Sequence, residues 1–438
     1  MKNKTHGIRS REGAALLVVV LMMGTCMIAV SSVVYCVGAQ MRRSWRQVQT
    51  EQAFFLAEAG VEHAAAYVIS AAGGIVSSTT LAGELGGGRY ETQVIASDLG
   101  GSGQTIDVLS TGFVGGMSRR IKVEGLRNMT WARFALWYDQ EALSLVIAAG
   151  DRFEGQVYSK PLMRFTNRNL ASQGQAHFLE RVWTVPSYIQ CDSGADPIFD
   201  RGLITSADEQ TMTSVDLPTL KTVAQTVSGG LLLKGNTTIE LRGPRMYIKN
   251  AERGWDNHSL PIPADAIVYV EPHTYTETYI DRRGKLKTRT VTEPGNIDVS
   301  APRGFNGEVT LVSDNNINIV DHVRYGQDPL ESSASTDVLG LIAKNNVVVE
   351  TSAPDNLDIY AHILCRDGGF GVKDYNKGSF RGTLKVVGGI ANLIRNAVGT
   401  TAPTGYLKNY IFDNRLTRYP PPYYPRLPDR LEWDSWEG

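Results

Sequence analysis

Residues 14–41 read AALLVVVLMMGTCMIAVSSVVYCVGAQM, and residues 42–70 continue as RRSWRQVQTEQAFFLAEAGVEHAAAYVIS. The first stretch carries no charge over about 28 residues, whereas about 20 apolar residues suffice for a helix to span a bilayer. A secretory signal has an apolar region of only about 7–15 residues, so this run is too long for the usual kind. Val37-Gly38-Ala39 is its one feature of a cleavage site for a freely secreted product. Lys2, Lys4, Arg9 and Arg11 precede the run, and Arg42, Arg43 and Arg46 follow it. With positive charge on both flanks, charge asymmetry leaves orientation open. The leading side is short and about 400 residues follow, which favours an N-in, C-out topology.

The apolar run does not end in a linker. No proline occurs in residues 1–100, so the pattern predicts one helix over 14–72, its membrane half at 14–41 and an amphipathic half beyond. Val48, Phe54, Phe55, Val61, Ala65, Val68 and Ile69 fall roughly on one stripe, with Arg46, Gln47, Glu51, Glu58 and Glu62 elsewhere. That stripe suits either the chain's own ectodomain or identical helices in a filament. Gly24, Gly38 and Gly60 are its weak points.

Next come three strand-like stretches, 89–96, 105–114 and 119–126, separated by Gly100-Gly101-Ser102-Gly103 and by Gly115-Gly116. They predict a small antiparallel sheet over 84–128. The glycine clusters lack a following helix with Lys-Ser/Thr, so they read as turns and not as phosphate loops. From about 130 to 418 a short unit recurs, a small or polar corner followed by alternating apolar residues. Examples are Gly235-NTTIEL, Gly295-NIDVS, Asn315-NINIV, Asn345-NVVVE and Asp355-NLDIY. Alternation buries one face of each strand, and spacings of roughly 20–30 residues suggest coils of a parallel β-helix or related solenoid. A β-sandwich with Greek-key links is the alternative. The fold class is therefore α+β: a long helix, a small sheet and a mainly β ectodomain. Residues 419–438, rich in proline and aromatics, show no strand or helix signal; they either dock on the domain or present a strip to a partner. Asp281–Lys287 reads as a charged hairpin tip.

Composition narrows function further. The chain has 438 residues, a net charge of −1, 44 glycines and four cysteines. Its length suggests two or three folding units. Near-neutral charge gives no general reason to expect nucleic acid. Cys191 and Cys365 either bridge or act as small free hydrophobes. The histidines show no zinc spacing, and Thr226-Val227-Ser228-Gly229-Gly230 lacks the leading glycine of a nucleophile elbow. Asp314-Asn315-Asn316 with Asp321 reads as corner asparagines more simply than as a calcium site. A solenoid also admits a polysaccharide-active enzyme, for which Asp298, Asp358, Lys344 and Arg366 are the available residues. We expect no catalytic residues, metal, cofactor or small-molecule substrate.

The residues around the rod resemble a family. A short basic leader, 1–13, ends Glu12-Gly13 and is followed by Ala14-Ala15-Leu16-Leu17-Val18. This looks like the class III signal of type IV pilins and pseudopilins. Gln52–Glu62, QAFFLAEAGVE, is similar to the A-x-x-x-A-E-A-G pattern of PilX-type minor pilins. Phe153–Ser159 and the segment from Val387 through PPPYYP resemble DUF4900-type domains, with Tyr158 where histidine is common. The resemblance implies cleavage by prepilin peptidase between Gly13 and Ala14. It departs from most pilins at Ala14, where Phe or Met is usual, and at Val18, where glutamate is usual. It implies a non-catalytic minor pilin-like or pseudopilin-like subunit of a type IV pilus or type II secretion system. Its partners would be the membrane, other pilin or pseudopilin subunits and prepilin peptidase. The place implied is single-pass in a bacterial inner membrane, with the ectodomain in the periplasm or on an extracellular filament. Val18, Phe54, Phe55, Ala57, Glu58, Gly60 and Val61 would form the assembly face. A membrane-anchored β-helix adhesin and a polysaccharide-active enzyme are the rival functions.

Overall fold

The computed structural model describes residues 9–71, 75–141, 145–168, 174–212, 215–332, 334–402 and 404–438. Residues 1–8 of the expected leader lie outside the described residues. The chain divides into two units, one of Met1–Ser97, Thr105–Arg127 and Leu431–Gly438, the other of Asp98–Gln104 and Asn128–Arg430.

The first unit is led by α1, Arg9–Ser70, a single helix of 62 residues. It passes the expected membrane border at Met41 and Arg42 without a break, because no proline removes a backbone bond there. The helix starts five residues before the expected Ala14, and the sequence Gly73-Gly74 follows its end. Four strands come next: β1 (Thr79–Leu85), β2 (Gly88–Asp98), β3 (Gln104–Val114) and β4 (Met117–Thr130). β1 lies almost wholly before the expected sheet span of 84–128. The turns Gly86-Gly87 and Gly115-Gly116 have positive φ at both residues, the left-handed pair that a two-residue hairpin requires.

The chain end corrects the expectation of a strandless tail. Arg426–Glu432 joins the edge of the β1-β2-β3-β4 sheet, and Ser435–Glu437 also pairs with β4. Arg127 holds it there, with Nε 3.1 Å from Glu432 and a terminal nitrogen 2.8 Å from Asp434. Local sequence carried no signal because the ladder partner, β4, lies some 300 residues earlier.

The second unit is a parallel solenoid, which rules out the sandwich. Its longest stack runs Gly230–Lys234, Ala266–Glu271, Glu308–Ser313, Val338–Ala343, Asp358–Cys365, Phe380–Arg395, Leu136–Glu141, Val157–Ser159, Val182–Thr184, Leu203–Ile204. The order is permuted: the first strand in sequence lies in the middle, beside one of the last, with Trp137 opposite Ala391. The chain therefore winds outward to Ile204, returns past the whole stack, and winds back. Nine strand spacings of about 4.8 Å make that return about 43 Å. The described residues of this return, 205–212 and 215–229, include α2, Leu217–Thr226, capped by Asp216, which accepts from the Thr219 amide. Leu217, Leu220 and Ala224 pack outside the stack in one cluster with Ile267 and Tyr269.

A second stack shows why the repeat works. Thr237–Arg242, Ile297–Phe305, Ile317–Tyr325, Val347–Val349 and Phe370–Val372 pair in parallel. Ile239, Leu241, Ile297, Val299, Ile317, Ile319, Val347 and Val349 are fully buried, as alternation predicts. Each contributes about 1.5–3 kcal/mol of burial. At the corners, asparagine side chains bond coil to coil. Asn236 Oδ1 accepts from the Asn296 amide, Asn315 Nδ2 donates to Asn296 Oδ1, and Asn345 Nδ2 donates to Asn315 Oδ1. Asn316 Oδ1 in turn accepts from the Asn346 amide. Such ladders satisfy corner backbone and side chains together. Asp281 closes the charged hairpin between His273–Ile280 and Leu286–Glu293, as expected, by accepting from the Arg283 and Lys285 amides.

Candidate assembly surface and the seam of the solenoid

α1 divides into three surfaces. From Ala14 to Val37 every side chain is exposed, including Val18, and the helix is long and apolar enough to cross a membrane. Gly13 and Ala14 stand on this exposed stretch. Beyond Gln49 one stripe turns inward: Ala53, Leu56, Ala57, Gly60, Val61, Ala64 and Val68 are buried. Ala57, Val61, Ala64 and Val68 share a core with Val94, Ile106, Val108, Ile121 and Val123 of the sheet. A Cβ at Gly60 would collide with the hydroxyls of Thr92 and Ser110, themselves buried and hydrogen-bonded at 2.8 Å.

An opposite stripe faces outward, with Val48 at 45%, Phe55 at 64% and Ile69 at 40% exposure. The residues expected to form the assembly face are thereby divided between the two sides of the helix. Ala57, Gly60 and Val61 are buried against the chain's own sheet, Phe54 and Glu58 are half-buried, and Phe55 points away. Spacing alone missed this because positions 54, 55, 57, 58, 60 and 61 span about 220° of the helix circumference at about 100° per residue, too wide an arc for one contact face.

The solenoid holds its own unusual cluster where its two windings meet. Glu141 and Arg395, both 5% exposed, pair at 2.8 Å across the central strands, and Arg164 reaches Glu141 at 3.3 Å. Asp151 and Lys408 pair at 2.6 Å, and Asp151 also accepts from the Ala148 and Lys408 amides. Burial pushes the Lys408 ammonium down from its ordinary range. A cavity of about 210 Å3 lies here, with Asp151, Arg395, Asn396, Tyr406 and Lys408 in its walls. The charged groups named here pair with one another, so the cluster reads as structure and not as a reaction centre.

Residues considered for catalysis do not converge. Asp298 accepts from Asn318 on the second stack, Asp358 pairs with Arg324 at 2.7 Å, and Arg366 pairs with its neighbour Asp367. Lys344 and Arg366 occupy adjoining corners, the Arg366 amide donating to the Ala343 carbonyl and the Asp367 amide to the Lys344 carbonyl. No group of His, Cys, Asp and Glu suited to a metal occurs among the described residues. The four cysteines are unpaired; Cys365 is sealed in the core and Cys191 is exposed, so the bridge between them is not formed.

His362 is buried in the solenoid, its Nδ1 2.5 Å from the Tyr424 hydroxyl, and burial lowers its pKa to about 3. The folded state holds this ring neutral while the unfolded chain protonates near 6.5. Stability is therefore intact above about pH 6.5 and declines as pH falls toward about 3, by up to about 1.4 kcal/mol per pH unit. His362→Asn is expected to flatten that limb in denaturant titrations; parallel curves for the two proteins would contradict it.

No protein-family model and no curated protein matches the chain. Among solved structures it is similar to the competence-associated pilin ComZ from Thermus thermophilus, at TM-score 0.32 and 14% identity. That alignment covers 89% of this chain and 97% of that one. A TM-score of 0.32 is too loose to define a fold family.

Proposed function

We propose that the protein is a pilin-like structural subunit, anchored by residues 14–41 in a bacterial inner membrane and assembled through α1 into a filament or pseudopilus. The observation that carries this is one unbroken helix with two differently used halves. The first is apolar and exposed all round; the second seats one face on an antiparallel sheet and leaves Val48, Phe55 and Ile69 outward. Lipid tails and helix cores are similarly apolar, so close packing along that outward stripe must offset extraction from the bilayer. Val18 offers no carboxylate for a neighbouring amine, which suits a minor or tip position more than the repeating shaft. The solenoid is the part displayed, and its role is non-catalytic.

Processing between Gly13 and Ala14 by prepilin peptidase is the direct test. Mass analysis of the chain from a host with the peptidase is expected to show an N-terminus at Ala14. Gly13→Ala should accumulate as a membrane-bound, uncleaved precursor. An intact leader in both hosts, with and without the peptidase, would sink the proposal.

A further inference from the structure

We infer that the two hairpin tips of the small sheet form an edge that docks on an anionic lipid surface. The inference rests on the proposed membrane crossing of residues 14–41. Helix register sets the height of these tips. Arg42, Arg43, Trp45 and Arg46, all exposed, form the kind of basic and aromatic belt that sits at headgroup level. Gln49 follows three residues after Arg46, about 5 Å further along the axis at 1.5 Å per residue. A Cβ at Gly115 would meet the Gln49 side chain, so the β3–β4 turn stands at that level. Gly88, which closes the β1–β2 turn, touches Leu56 of α1 and Phe113 of β3. Both turns thus point down the helix toward the belt.

The crossing segment favours contact on the sheet side. Its charge-free length is about 42 Å, against about 30 Å of hydrocarbon core, and a helix with such an excess tilts. The sheet lies along one face of α1, so tilt toward it lowers both turns into the headgroups. The tips are equipped for this. Leu85 is 61% exposed and leads directly into Gly86-Gly87, around which there is open space. Arg89, Arg119 and Arg120, all exposed, follow the two turns within four positions. The acidic groups at this end are Glu51, Glu58, Glu84 and Glu91, the last 3.9 Å from Arg89. Six arginines against four carboxylates leave a positive edge, with one exposed apolar residue, Leu85, beside it. An anionic bilayer matches that pattern.

Hydrogen exchange of the full chain in nanodiscs tests this, with phosphatidylcholine alone compared with about 30% phosphatidylglycerol. Amides of 84–89 and 114–120 are expected to exchange at least about fivefold more slowly on the anionic discs, with solenoid amides unchanged. The pair Leu85→Asp and Arg119→Glu should abolish the difference. Equal rates on both discs, with residues 16–34 still protected, would overturn the docking edge while leaving the crossing in place. Loss of protection at 16–34 would overturn the crossing and the edge together.

Discussion

Gly60→Leu is expected to detach the outer half of α1 from its sheet. The isobutyl group has no space, because even a Cβ would strike the hydroxyls of Thr92 and Ser110. Overpacking a tight core costs about 1–3 kcal/mol. Breaking the buried Thr92–Ser110 bond adds about 1–3 kcal/mol. A total near 3 kcal/mol or more raises the open population of the first unit at least about a hundredfold. Hydrogen exchange should show β1–β4 and residues 53–68 losing protection while solenoid strands keep theirs. Gly24→Ala is the control, since nothing lies within reach of its Cβ. It should be neutral or slightly stabilising. A Gly60→Leu protein with wild-type protection in β2 and β3 would mean that helix and sheet are not packed as described.

Glu141→Leu is expected to destabilise the solenoid at its seam by about 3–5 kcal/mol, the usual cost of stranding one buried charge. Arg395 loses its carboxylate, and Arg164 loses the same partner. The double change Glu141→Leu with Arg395→Met should recover most of that loss, because two apolar groups of similar size leave no fully buried charge unpaired, and Arg164 is partly open to water. Urea unfolding of the single and double variants measures both. A single variant with unchanged midpoint, or a double variant no better than the single, would show that the pair does not hold the windings together. The position makes the effect large: this pair joins strands whose sequence separation is about 250 residues, at the seam where the outward and returning windings meet.

Several elements were legible in the chain before its structure. Alternation in Asn345-NVVVE and Asn315-NINIV identified the strands and which residues they bury, whereas the bonds from one corner asparagine to the next emerge only when the coils stack. The uncharged run from Ala14 identified the exposed half of the helix. Other elements were not legible. The outward stripe of Val48, Phe55 and Ile69 and the buried stripe of Ala57, Gly60 and Val61 are both apolar or small, so residue type could not separate them. The strand at Arg426–Glu432 contains two prolines' worth of discouragement nearby, at Pro425 and Pro428, and forms because β4 offers an open ladder.

By itself the sequence determined the rod and the rungs: a helix free of proline from Arg9 to Ser70, and short strands with a buried face every second residue. Those properties depend on neighbours one to four residues apart, so they are written locally. The tertiary structure alone decided which face of the rod turns inward. It also decided that the solenoid is wound from its middle, and that the last residues return to the first unit's sheet. Each of those depends on register and complementary charge between segments hundreds of residues apart, such as Glu141 with Arg395 and Arg127 with Asp434, where no local pattern can name the partner.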